Sequence, residues 1–143
     1  MKIAILSQGP ANYSTKRLKE EAEKRGHEVR VINYAKCYVT IERGNPVVRY
    51  EGENLSDIDA IIPRIAPTLT KYGTAIVRQF EMLGVFTTAS SIAITRSRDK
   101  LRSYQLMAKS GIGIPKTVFA RETADFDDVV EKAGGVPVII KVA

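Results

Sequence analysis

Two periods of hydrophobic and polar positions run along this chain. KIAIL (residues 2–6) carries a short continuous apolar run and predicts a buried strand. SQGPANY interrupts it, and Ser14 is placed to cap a helix running to about Arg25, with Gly26 as its stop. EVRVI (28–32) alternates and predicts a second strand. Strand, helix, strand in this order implies a parallel pair with a right-handed crossover. CYVTI (37–41) and VVRYE (47–51) flank ERGNP, whose Gly44, Asn45 and Pro46 are turn formers, and predict a hairpin. DAIIPR (59–64) is a further buried strand. Leu69, Tyr72, Ile76, Phe80 and Leu83 recur at steps of three and four, which predicts one helical face over residues 68–83, closed by Gly84. Residues 85–88 read as a short strand, and Ser90 or Ser91 as the cap of another helix.

The organisation then changes. A basic helix is expected over residues 97–110, ending at Gly111. GIGIP is an extended connector, because Pro115 pushes Ile114 out of helical geometry. TVFA (117–120) reads as a strand. Thr123 is placed to cap a helix carrying Phe126, Val129, Val130 and Ala133 on one side, ended by Gly134 and Gly135. VPVIIKVA (136–143) reads as a final strand in which a lone Lys141 sits among Val and Ile. The expected fold class is α/β, with one small α/β unit over residues 1–96 and the beginning of another over residues 97–143. Two strands and a helix do not close a core alone, since a sheet of three or more strands is the usual minimum.

Composition narrows the function classes. Hydrophobic residues are 44% of the 143, enough for a real core. No apolar run approaches the ~20 residues of a membrane helix, so no membrane partner is expected. Cys37 is the only cysteine, which fits a cytoplasmic setting, and His27 is the only histidine, which argues against zinc chemistry. Net charge is +6. Between Ser90 and Ser110 stand Arg96, Arg98, Lys100, Arg102 and Lys109 against Asp99 alone, so the excess is local and marks a site or contact face.

Four stretches are candidates for chemistry. Lys141 in its strand reads by default as a stem lying on apolar surface with its amine in water; a functional reading needs an anion, and phosphate is the usual one. In RSRDKLR (96–102) a helix would stack Arg96 on Lys100 and Arg98 on Arg102, a repulsion that an anion relieves and that Asp99 partly offsets. RNA contact is the alternative, with Tyr104 as the one aromatic nearby, and this argues against direct nucleic-acid binding. SQGPANYS is a strand-to-helix turn with one glycine, so neither a dinucleotide fingerprint nor a P-loop is present. Arg64, after Pro63 at a strand end, is placed either to hold a carboxylate or to pair with Asp57 or Asp59. Tyr72 reads as core-facing, His27 as the entry to the second strand, and Cys37 as a packing residue.

MKIAILS, RGHEV, IPRI, YGTAIVRQFEMLG, SIAITRSRDKLRSYQLMAKSGI and PVIIKV together resemble the RimK-type glutamate ligases of the ATP-grasp superfamily. The resemblance implies a Rossmann-like pre-ATP-grasp domain followed by the first β-α-β segment of an ATP-grasp domain that stops part-way. It places the family's ATP-binding lysines at Lys100 and Lys141, and it implies ATP with Mg2+ or Mn2+ as cofactors, the metal ligands lying beyond residue 143. It further implies an acyl-phosphate reaction that adds L-glutamate to a protein C-terminal carboxylate, that of a ribosomal protein, in a homo-oligomeric enzyme, with this stretch inactive alone. The competing reading is a stand-alone Rossmann-like module whose basic helix contacts RNA or the ribosome.

Overall fold

A computed structural model describes residues 1–44, 46–122 and 125–141. The chain divides into two compact units, Met1–Arg98 and Asp99–Ala143. The first opens with β1 (Lys2–Leu6), α1 (Tyr13–Lys24) and β2 (Glu28–Ile32). A meander of β3 (Cys37–Thr40), β4 (Val47–Tyr50) and β5 (Glu53–Asn54) follows, then β6 (Ala60–Pro63), α2 (Thr70–Met82), β7 (Phe86–Thr87) and α3 (Ser91–Arg98). The expected α/β class is the one observed.

The main sheet is parallel, in the order β2-β1-β6-β7. Leu6 pairs with both Ile32 and Pro63, so three strands finish level at one edge. Strand alternation sends successive β1 side chains to opposite faces. Ala4 and Leu6 join Ile76, Val77 and Phe80 of α2 in the larger core. Ile3 joins Ala22 of α1 and Ala60 in a smaller one. Helices thus cover both faces of the sheet, the condition for continuous apolar strands.

The hairpin forms as expected, with Cys37 opposite Tyr50; Asn45 of its turn lies outside the described residues. β5 was not legible, since Glu53 and Asn54 give no apolar signal. It is folded back by Glu51 and Gly52, both at positive φ (51° and 88°), the backbone of a two-residue hairpin turn.

Several expectations need correction. The cap of α1 is Asn12, not Ser14: the helix begins at Tyr13 because Asn12 already accepts the first backbone bonds, from Thr15 and Lys16. The buried face of α2 is Gly73, Ile76, Val77 and Phe80, and Tyr72 is 42% exposed. Gly73 is what turns the helix this way. A Cβ there would stand 2.5 Å from Ile65 Cγ2 and 3.1 Å from Tyr34 Cε2, so the helix rests its bare backbone on those side chains.

The single basic helix is broken in two. Asp99 is extended (φ −85°, ψ 102°), and its carboxylate accepts the Arg102 N–H at 3.0 Å. It therefore caps α4 (Lys100–Lys109) instead of sitting inside a continuous helix as a counterion. The spacing of Arg96 to Lys100 and Arg98 to Arg102 therefore runs from the end of one helix into the start of the next, not along one continuous helix.

In the second unit α5 (Phe126–Ala133) forms, capped by Asp125 accepting from Asp128 N; the expected cap Thr123 lies outside the described residues. The two flanking strands do not form among the described residues. Val136, Ile139 and Ile140 are 81%, 86% and 74% exposed. High β-propensity does not make a strand without a neighbour to pair with. Val142 and Ala143 lie outside the described residues.

Candidate functional site

In the first unit, the chain passes from β1 to β2 on one side and returns to β6 on the other. The strand order therefore reverses between β1 and β6, the point at which open α/β sheets gather ligands beyond the strands' carboxyl ends. A cleft of about 700 Å³ opens there. Ser7, Gln8, Gly9 and Asn12 line it from the loop after β1, and Pro63, Arg64, Ile65 and Ala66 from the end of β6. Ile94, Ser97 and Arg98 of α3 complete it.

Each wall is held by a specific bond. Ser7 N donates to Ile32 O and Arg64 N to Leu6 O, both at 2.9 Å, so the ladder continues one residue past the strands. Buried Tyr34 ties the two loops together: its hydroxyl donates to Gln8 Oε1 at 3.2 Å and accepts Ala66 N–H at 2.8 Å. Ser7 Oγ lies 3.2 Å from buried Thr15 Oγ1 and accepts Gly9 N–H. The start of α3 is clamped by Glu81 of α2, whose carboxylate accepts both Ser91 N–H (2.8 Å) and Ser91 Oγ–H (2.6 Å). Ser90 Oγ caps the same helix through Ala93 N.

The two charged side chains of the cleft are both arginines. Arg64 donates from Nη2 to Ser14 Oγ at 2.7 Å. Arg98 donates from Nη2 to Ile65 O at 2.8 Å. No aspartate or glutamate lines the cleft among the described residues. The expected alternative for Arg64, an ion pair with Asp57 or Asp59, is not formed. Those carboxylates sit at the opposite edge of the sheet, where Asp57 meets Lys2 Nζ at 2.9 Å and Asp59 accepts Lys2 N–H. The hydrogen bond and charge of Lys2 hold the Asp57 carboxyl below its usual range, and Asp57 in turn raises the Lys2 amine. Cys37 is 2% exposed, and burial pushes its thiol up to about 11.

Lys100 and Lys141 fall in the second unit. Lys100 is the first residue of α4 and Lys141 lies outside any helix or strand, both exposed. Among the described residues no three His, Cys, Asp or Glu side chains group to hold a metal ion, and no helix is long and apolar enough to cross a membrane. Arg98 was legible only as part of a basic helix whose repulsion an anion relieves, and its place in this cleft was missed because the basic pattern predicts one continuous helix. The available signal was Asp99, a good capping residue that ends one helix and starts the next.

The family model described as the RimK PreATP-grasp domain matches residues 1–94, and the RimK-like ATP-grasp domain matches residues 97–143. A probable alpha-L-glutamate ligase of Teredinibacter turnerae is 56% identical over 141 residues, and one of Picosynechococcus sp. is 57% identical. Each alignment takes in 99% of this chain and 47% of the relative, so the chain spans about half the length of those proteins. Among solved structures, a Chryseobacterium gregarium RiPP-associated ATP-grasp ligase in complex with ADP and a leader and core peptide superposes with a TM-score of 0.53. It is 17% identical, covering 80% of this chain and 42% of that one, a likeness of fold.

Proposed function

The chain belongs to the RimK family, and from that premise we propose that the whole protein is an ATP-dependent carboxylate–amine ligase that joins L-glutamate to an acceptor carboxylate. The observation that carries this is the succession of the two RimK matches along a chain more than half identical to probable alpha-L-glutamate ligases. The acceptor is a protein C-terminus, and a ribosomal protein is the first to try.

The reaction is written in two steps. An acceptor carboxylate oxygen attacks the γ-phosphorus of ATP, giving an acyl phosphate and ADP. The neutral amine of glutamate then attacks the acyl carbon, the C–O bond to phosphate breaks, the nitrogen gives up a proton, and an amide and inorganic phosphate remain. Both steps gather negative charge on phosphate oxygens, where fixed cations act most strongly. Lys100 and Lys141 are assigned to those oxygens, each as a compact point charge. A divalent cation would share that load; the residues described here offer no cluster of ligands for one, and no step is assigned to it.

Support for a cation role at Lys100 comes from its setting. Lys100 stands exposed at the first position of α4, where its amine reaches solvent. The test is to incubate the full-length gene product with ATP, L-glutamate and a peptide with a free C-terminus. Glutamate-dependent ADP release with mass gain of one glutamyl residue is expected. ADP release without amide formation, or none at all, would reject the reading.

A further inference from the structure

We infer that the cleft between β1 and β6 receives the acceptor and not free glutamate, and that it is built for an acidic peptide end: two carboxylates, with the α-nitrogen already in an amide. This rests on the ligase reading above and assigns one of its two carboxylate substrates to a place.

Charge decides between the two. The cleft walls carry two guanidiniums and, among the described residues, no carboxylate. Free glutamate would bring an ammonium into a space with two cations and no acidic partner for it. An acylated nitrogen has no charge and asks only for one acceptor. Asn12 offers one, since its side chain does not cap α1. The two arginines then meet two carboxylates, the arrangement in which planar guanidinium forks are strongest.

The forks are also held in advance. Arg64 is fixed to Ser14 Oγ and Arg98 to Ile65 O, and Ile65 is the residue next to Arg64. Each bond uses Nη2 and leaves Nη1 for an anion. A volume of about 700 Å³ exceeds what one amino acid fills and suits the last residues of a peptide.

The experiment uses the 143-residue chain and three probes in calorimetric titrations. They are N-acetyl-alanyl-glutamate, with two carboxylates and no ammonium; free L-glutamate; and N-acetyl-alanyl-glutamine amide, with neither charge. The acetylated acid is expected to bind about tenfold or more tightly than glutamate, and the amide not measurably. Arg64→Gln and Arg98→Gln are each expected to weaken the acetylated acid by roughly 10-fold or more, the scale of a lost charge-assisted bond. Arg64→Lys and Arg98→Lys should recover part of this, and circular dichroism would establish that all four fold.

Glutamate binding as tightly as the acetylated acid would overturn the inference. So would a folded chain that binds neither, or ATP that competes with the acetylated acid for the cleft. In the full-length enzyme, the same variants should raise KM for the acceptor and leave KM for glutamate unchanged; the reverse pattern would overturn the assignment while leaving the ligase reading intact. If the full-length protein forms no amide, the ligase reading falls, and the titrations still decide what the cleft binds.

Discussion

The hydroxyl of Tyr34 accepts the backbone N–H of Ala66 at 2.8 Å, from a ring that is fully buried. The same oxygen donates to Gln8, so one phenol joins the loop after β1 to the loop after β6. Those two loops are opposite walls of the cleft. Tyr34→Phe keeps the ring's packing and removes both bonds. A half-buried N–H left without its acceptor costs about 1–3 kcal/mol. Urea unfolding should show a loss of that order with unchanged slope, and affinity for N-acetyl-alanyl-glutamate should fall with it. A variant as stable as the parent would mean that water replaces the hydroxyl.

Gly73 gives a second test. Alanine normally favours a helix interior over glycine by roughly 1 kcal/mol. Here the added methyl would stand 2.5 Å from Ile65 Cγ2 and 3.0 Å from Ile65 Cδ1. Overpacking of that kind costs typically 1–3 kcal/mol. Gly73→Ala is therefore expected to destabilise the first unit by up to about 2 kcal/mol once the helix gain is subtracted, measured by thermal melting. A stabilised variant would show that Ile65 yields freely.

The parallel sheet was legible because β1, β2 and β6 announce themselves as apolar runs, and Arg64 because it follows a strand end. The face of α2 was harder. Ile76 and Phe80 belong to both the expected face and the observed one, while buried Gly73, Thr74 and Gln79 do not count in an apolar pattern. Tyr72 instead stays partly exposed and donates its hydroxyl to Cys37 O. Among the described residues of 117–120 and 136–143 the expected strands did not form, for another reason: composition reports that a segment suits a sheet, and pairing depends on a partner.

Cys37 gives a pH-dependent prediction. Burial raises its thiol from 9.0 to about 11 in the folded chain. Below pH 9 the thiol is protonated in both folded and unfolded chains and its contribution to stability is fully present. As pH rises from 9 towards 11 the unfolded thiol ionises first, so stability falls, by about 2–3 kcal/mol across the window. Cys37→Ala should lose some packing at neutral pH yet lack this increment. The gap between parent and variant in urea melts should therefore narrow from pH 8.5 to pH 10.5. A constant gap would mean that the thiol ionises equally easily in both states.

Lys100 and Lys141 give the prediction that bears most directly on the ligase reading. Both are exposed, Lys100 on the first turn of α4 and Lys141 outside any helix or strand. Neither lies where a methionine would create a cavity or strand a buried charge. Lys100→Met and Lys141→Met keep the length of the stem and remove the ammonium, so the stability of the 143-residue chain should move by less than about 0.5 kcal/mol. If the two amines hold nucleotide phosphates in the full-length enzyme, each variant loses a charge-assisted hydrogen bond of about 1.5–3 kcal/mol, a weakening of ATP binding by roughly 10- to 150-fold. The loss should appear in ATP affinity and in kcat/KM for ATP, with KM for the acceptor unchanged. Lys141→Arg should recover less than a simple count of charge suggests, because a planar fork replaces a compact point charge. An ATP titration of Lys141→Met that overlays the parent would remove Lys141 from the site and leave it a lysine whose stem rests on apolar surface while its amine reaches water.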